Sequence, residues 1–183
     1  MVNVLAAPLV IRPLPAFELR ARARRLKLLL TDCDGVLTDG GVYYSDDGEA
    51  LKRFSMRDGM GVERLRLAGI ETAIVTRETS AAVERRGAKL GLPHVFLGVA
   101  DKRMHLDAIQ RITGHGPGEM AYIGDDVNDL EILASVGEHG LTAAPADAMP
   151  DVLRAVQHTC PSRGGHGAFR DFAEWILKLR EDA

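Results

Sequence analysis

Short apolar runs alternate along this chain with segments in which apolar residues recur every three or four positions. The first run, residues 26–31, ends at Thr31 and reads as a buried strand. It is followed directly by the polar turn Asp32-Cys33-Asp34-Gly35. Val42-Tyr43-Tyr44 and residues 49–54 flank Ser45-Asp46-Asp47-Gly48, and an Asp-Gly turn between short β-like runs predicts a hairpin. Helical spacing over residues 59–68 stops at Gly69, residues 70–76 form an apolar strand, and residues 79–90 form a helix closed by Gly91. The rhythm then repeats as strand 94–97, helix 102–112, strand 120–123 and helix 129–135. A weak strand at 139–143, a helix at 148–156, an edge strand at His158 and Thr159, and a helix at 168–179 complete the pattern.

Strands alternating with helices, with one hairpin, predict an α/β fold: a Rossmann-like three-layer sandwich whose mostly parallel sheet is covered on both faces. At 183 residues and 46% hydrophobic content, one proper core is expected. Residues 1–19 read as a loose N-terminal arm and 20–183 as a single domain, with the basic stretch 20–25 closing a short helix before the first strand. The apolar opening has no positive region before it and is interrupted soon after by Pro13 and Pro15, so it is not read as a signal peptide. No apolar run reaches the roughly 20 residues of a membrane helix. A formal net charge of −3 provides no basic footprint for nucleic acid. Cys33 and Cys160 are too few for a disulfide framework and fit a reducing cytoplasm.

In folds of this class, ligands lie beyond the carboxyl ends of the strands. The polar residues after the predicted strands assemble at that edge: Asp32 and Asp34, then Thr76, Arg77 and Glu78, then Gly124, Asp125, Asp126, Asn128 and Asp129. Asp32 and Asp34 point the same way if the strand alternation continues. Two anions aimed into one crevice require a cation, a shared proton or a substrate. The second acidic cluster, with no His or Cys companion, favours a hard cation, Mg²⁺ before Ca²⁺ or Zn²⁺. Asp125 is the preferred direct ligand, with Asp126 and Asp129 orienting groups behind it. Lys102 opens a helix at the same edge and brings a fixed positive charge, and Thr76 offers a hydroxyl.

These placements together resemble the haloacid dehalogenase superfamily: D-x-D-G after the first strand, Thr at a second strand end, Lys, then G-D-D-x-x-D. The resemblance implies that Asp32 is the nucleophile that takes phosphate. It makes Asp34 the acid that protonates the leaving alcohol and then activates water. Asp32, the Asp34 backbone carbonyl and Asp125 would hold Mg²⁺, and Thr76 and Lys102 would bind phosphate oxygens. Members of the superfamily often carry a cap domain over the site; no insertion here is long enough, and only the hairpin remains as a flap.

The stretch 32–41, together with Leu51-Lys52-Arg53-Phe54, Arg57-Asp58-Gly59 and the tail at 163–170, looks like the capless sugar-acid phosphatases typified by 3-deoxy-manno-octulosonate (KDO) 8-phosphate phosphatase. The likeness implies a homotetramer in which neighbouring subunits complete each site, and Arg57 as a substrate contact. The tail either reaches a neighbour's site or packs as a Gly-rich turn before the last helix. One departure stands out. Where eight-carbon enzymes usually read Thr-Gly-Arg, this chain has Thr76-Arg77-Glu78, with Arg85 and Lys89 on the following helix. Glu78 and Lys89 look like the acid and base of relatives acting on nine-carbon acids such as 2-keto-3-deoxynononate (KDN) 9-phosphate or N-acetylneuraminate 9-phosphate, so the substrate length stays open. Two other readings compete: a weakly catalytic assembly module like the domain fused to acylneuraminate cytidylyltransferases, and a phospho-receiver. The complete set Asp32, Asp34, Thr76, Lys102 and Asp125 weighs against the first, and Asp34 with the flap against the second.

Overall fold

The computed structural model describes residues 13–181. Residues 1–12 of the expected arm lie outside the described residues, and the rest of that span runs into a helix, α1 (Ala16–Arg25), which ends on the basic stretch. β1 (Leu28–Thr31) comes next, then the antiparallel pair β2 (Tyr43–Ser45) and β3 (Gly48–Leu51). They lead into α2 (Met56–Leu67), β4 (Glu71–Val75), α3 (Ala81–Leu90) and β5 (His94–Phe96). The chain continues through α4 (Lys102–Thr113), β6 (Met120–Ile123), α5 (Leu130–Gly137) and β7 (Leu141–Ala144). It ends with α6 (Pro150–Arg154), β8 (His158–Thr159) and α7 (Ala168–Glu181).

The main sheet has six strands in the order β5-β4-β1-β6-β7-β8, every pair parallel. β1 is central because Leu28, Leu29 and Leu30 are apolar on both faces, and only a strand covered on both sides can bury such a run. Leu29 packs with Ala23, Val62, Leu65, Phe169 and Phe172 from α1, α2 and α7. Leu28 and Leu30 pack on the other face with Ile109, Ile132 and Leu133 from α4 and α5. Thr31 sits opposite Ile74 on one side and Ile123 on the other, so β1, β4 and β6 release their chains at one edge. The strand order reverses here, since the chain moves outward through β4 to β5 and returns to β6, and such a reversal opens a crevice.

Element boundaries match their caps. α2 begins at Met56, ahead of the apolar periodicity, because the Ser55 hydroxyl accepts the Arg57 amide at 3.1 Å. Ser80 and Asp101 cap α3 and α4 in the same way. The helix expected over 129–135 begins with a 3-10 turn, Val127–Asp129, and the one expected over 148–156 shortens to α6, opened by Pro150. The Arg57-Asp58-Gly59 stretch has a structural use: buried Asp58 accepts the Arg170 amide at 3.0 Å and ties α2 to the start of α7. Burial there pushes the Asp58 carboxyl up to about 6.

The Gly-rich tail packs on its own chain. The Gly165 amide donates to the Val36 carbonyl at 2.8 Å, and a side chain at Gly164 would run into the Gly35 carbonyl. The segment therefore props the loop that carries Asp34. Between β1 and α2 the only insertion is the β2–β3 hairpin, and no helix among the described residues is long and apolar enough to cross a membrane.

Candidate active site

The site is built at the exit of β1. The Asp32 amide still donates to the Ile123 carbonyl at 3.0 Å, so the strand's hydrogen bonding carries one residue past Thr31 and aims the Asp32 side chain. The chain then turns at once, with the Val36, Leu37 and Thr38 amides all directed at the Cys33 carbonyl. Cys33 drops into the core, while Asp32 and Asp34 face the crevice; β1 has ended by then, so the turn closed on the Cys33 carbonyl, and not the expected strand alternation, sets Asp34. Gly35, at φ +84°, lies so close to Asp125 that any Cβ would collide with that carboxylate.

Behind Asp32 is a buried charge cluster. Asp32 Oδ1 accepts the Cys33 amide at 2.7 Å, and Oδ2 lies 2.9 Å from Lys102 Nζ. Lys102, the first residue of α4, reaches Asp129 Oδ1 at 2.6 Å as well. Asp129 is fully buried and satisfied: it also accepts the Tyr122 hydroxyl at 2.6 Å and the Asp125 and Asp126 amides at 3.0 and 3.4 Å. It therefore anchors both Lys102 and the loop bearing Asp125.

One ammonium does not balance the carboxylates gathered here. Burial, then repulsion from Asp129, pushes Asp32 up to about 7 against the pull of Lys102. Burial, then Asp32 and Asp129, pushes Asp125 up to about 8. Burial draws the Lys102 ammonium down, but Asp32 and Asp129 outweigh it and the net direction is upward. Asp125 Oδ1 is buried with no hydrogen-bond partner. Asp32, Asp125 and Asp129 bring one ligand oxygen each within 4.8 Å of one another. Excess buried negative charge with an orphaned oxygen fits a hard divalent cation.

Asp32, Asp34, Thr76, Arg77, Glu78, Asp125, Asp126 and Asn128 line a cleft of about 180 Å³. Thr76 is buried at the end of β4, and its hydroxyl accepts the Glu78 amide at 3.2 Å. Asp126 is exposed and accepts the Val127 amide at 2.6 Å, opening the 3-10 turn. Three expected substrate contacts lie elsewhere. Arg85 and Lys89 are exposed on α3 away from the cleft lining, and among the described residues no ion pair joins Lys89 to Glu78. Arg57 lines a separate open hollow with Arg53, Phe54 and His166.

Lys52 is a site residue that the sequence did not reveal. Its Nζ lies 2.6 and 2.7 Å from the two Asp34 oxygens, with the side chain 1% exposed. Burial draws its ammonium down, while Asp34 and then Glu49 outweigh that and raise it. The only sequence signal was its place in the Leu51-Lys52-Arg53-Phe54 likeness, which carries no spacing relation to Asp34.

Comparisons with known proteins identify the family. The haloacid dehalogenase-like hydrolase family matches over residues 55–137. The 3-deoxy-D-manno-octulosonate 8-phosphate phosphatase of Haemophilus influenzae is 38% identical over 162 residues, covering 88% of each chain. A solved cobalt-bound structure of the Haemophilus influenzae phosphatase superposes with TM-score 0.83 at 38% identity, over 87% of this chain and 92% of that one. A phosphatase of the same name from Moraxella catarrhalis, solved with magnesium, phosphate and KDO, superposes with TM-score 0.83 at 33% identity, over 90% and 93% of the two chains. With likeness running through nearly the whole of both chains, this protein belongs to the 3-deoxy-D-manno-octulosonate 8-phosphate phosphatase family of haloacid dehalogenase-like hydrolases, and is a phosphoric monoester hydrolase.

Proposed function

We propose that this chain hydrolyses a phosphorylated 2-keto-3-deoxy sugar acid, KDO 8-phosphate first among them, with Mg²⁺ and through an aspartyl phosphate on Asp32. The observation that carries the reading is the convergence of Asp32, Asp34, Thr76 and Asp125 on one cleft, with Lys102 held 2.9 Å from Asp32. The Haemophilus influenzae KDO 8-phosphate phosphatase, matched over 88% of each chain, supports the substrate, and the Moraxella catarrhalis relative solved with magnesium, phosphate and KDO supports the metal.

Asp32, the Asp34 main-chain carbonyl and Asp125 would hold the Mg²⁺. When bound, it supplies positive charge that offsets the phosphate dianion and the buried carboxylates. A carboxylate oxygen of Asp32 attacks phosphorus, and the bond from phosphorus to the sugar oxygen breaks. Asp34 gives its proton to that departing oxygen, which leaves as the alcohol. Asp34 then takes a proton from the water that attacks the phosphorus of the acyl phosphate, releasing inorganic phosphate and restoring the Asp32 carboxylate. Thr76 faces the transferred oxygens, and Lys102, held behind Asp32, adds its positive charge from there. Unaided phosphate monoester hydrolysis is so slow that enzymes supply up to about 10²¹-fold acceleration, most of it from positioning and charge.

The open cleft also favours assembly. Tyr43, Tyr44 and Leu51 on the hairpin and Met56 and Met60 on α2 are exposed, and apolar surface of this kind is covered economically by another copy of the chain. We read the assembly as a homotetramer in which Arg57 and the hollow beside it approach a neighbour's substrate.

Without a divalent cation the protein should lose stability as pH rises from about 4 to about 8. Asp32 and Asp125 have folded pKa values raised above the unfolded ones, so the stability present below the unfolded value is lost as pH passes the folded value. Added Mg²⁺ should therefore raise the melting midpoint more at pH 8 than at pH 5, by about 2–4 °C per kcal/mol. A Mg²⁺ effect independent of pH would contradict the buried cluster as its site.

Substrate length is tested by catalytic efficiency on KDO 8-phosphate, KDN 9-phosphate and N-acetylneuraminate 9-phosphate. KDO 8-phosphate should be preferred. Glu78 lines the cleft and favours the nine-carbon alternative. If that alternative holds, Glu78→Ala should weaken nine-carbon turnover more than that of a small aryl phosphate; equal losses would remove Glu78 from the substrate contacts.

A further inference from the structure

The β2–β3 hairpin is largely exposed, with Tyr43, Tyr44 and Leu51 between 65% and 75% open to solvent. Apolar burial therefore does little to seat it. Polar contacts tie its final segment to the protein body. Glu49, on β3, accepts a hydrogen bond from the hydroxyl of Ser80, which itself caps α3. The Glu49 carboxylate also lies 3.5 Å from Lys52 Nζ, and Lys52 grips both oxygens of Asp34. A continuous chain of contacts thus runs from the α3 cap through the hairpin to the Asp34 carboxyl.

The Lys52 side chain is 1% exposed, and a methionine of similar length would cover the same surface without burying a charge. What the ammonium adds is direction. Apart from Lys52, the Asp34 carboxyl has one side-chain hydrogen bond, from Thr38 at 3.3 Å. A carboxyl so lightly tethered rotates about its side-chain torsions, and proton transfer depends on its distance and angle to the reacting oxygen.

We propose that Lys52 is a positioning residue for the hydrolysis: it holds the Asp34 carboxyl toward the cleft, and because it is carried by the hairpin, Asp34 is set for proton transfer when Glu49 and Ser80 seat that hairpin. Lys52 keeps its own protons throughout. One Asp34 oxygen stays on the ammonium while the other exchanges a proton with the departing sugar oxygen and then with water. The inference rests on the reading of Asp34 as the proton shuttle.

The test compares phosphoryl transfer to Asp32 in single turnovers, with Mg²⁺, from KDO 8-phosphate and from p-nitrophenyl phosphate, whose leaving group departs without a proton. Lys52→Met should slow transfer from KDO 8-phosphate about 10²-fold, the scale of general acid catalysis, and transfer from p-nitrophenyl phosphate by less than about tenfold. Lys52→Arg, which keeps a charged donor, should recover much of the difference. Asp34→Asn should show the same split, larger. The aryl substrate also reports whether each variant is folded. Equal slowing on both substrates in Lys52→Met, beside a split in Asp34→Asn, would overturn the positioning role and leave Asp34 as the shuttle. No split in Asp34→Asn would instead remove the reading beneath it.

Discussion

Asp32→Asn should abolish turnover, lowering kcat by about 10⁴-fold or more, the scale on which removal of a nucleophile acts. An amide cannot form the acyl phosphate, and nothing else in the cleft stands where Asp32 does, at the end of β1 with its amide still bonded to Ile123. The same change should not harm the fold. The substituted side chain would retain an oxygen for the Cys33 amide, which Asp32 accepts at 2.7 Å; its NH2 would stand where an oxygen faced Lys102, which then keeps Asp129 alone, and one charge leaves a cluster in which buried carboxylates outnumber the single ammonium. The metal-free variant should therefore melt at or above the wild-type midpoint at pH 8. Loss of activity together with an unchanged or raised midpoint separates chemistry from misfolding. Activity retained on every sugar phosphate would assign the nucleophile elsewhere.

Lys102→Met should damage both function and stability. Its Nζ lies 2.9 Å from Asp32 and 2.6 Å from Asp129, with the side chain 1% exposed. Removing one member of a buried ionic cluster leaves charge uncompensated, which costs about 3–5 kcal/mol. For a chain of this size that lowers the midpoint by about 6–20 °C. The loss should be smaller at pH 5 than at pH 8, because Asp32, pushed up to about 7 by burial, is protonated at pH 5 and no longer needs its partner. A second change, Asp129→Asn, should restore part of the stability and none of the activity, since the phosphate would still lack the Lys102 charge. A midpoint within a degree of wild type at pH 8 would contradict the packing described for Lys102.

Asp32, Asp34, Thr76 and Asp125 were legible in the sequence because strand and helix periodicity locates strand ends, and parallel strands deliver their ends to one edge. The β1 run of leucines marks the centre of the sheet for the same reason. Lys52 was not legible as a site residue. Its relation to Asp34 passes through a hairpin whose fold-back sets the distance, and no periodicity encodes that. The role of Asp129 was legible in direction only: its spacing from Asp125 suggested support, while its partnership with Tyr122 and Lys102 depends on how α4 packs beside β6. Arg85 and Lys89 have the opposite history. They share a helix with no buried partner to turn them toward the cleft, so a likeness in sequence did not translate into placement. The early start of α2 came from Ser55, a local cap that hydrophobic periodicity ignores.

The central claim is tested most directly by phosphate release from KDO 8-phosphate by the wild-type protein, measured with Mg²⁺ and again after chelation. The expected result is a kcat/KM above about 10⁴ M⁻¹s⁻¹, within the ordinary enzyme range, falling to background on chelation and returning when Mg²⁺ is restored. No release with Mg²⁺, or release that chelation leaves untouched, would contradict the account.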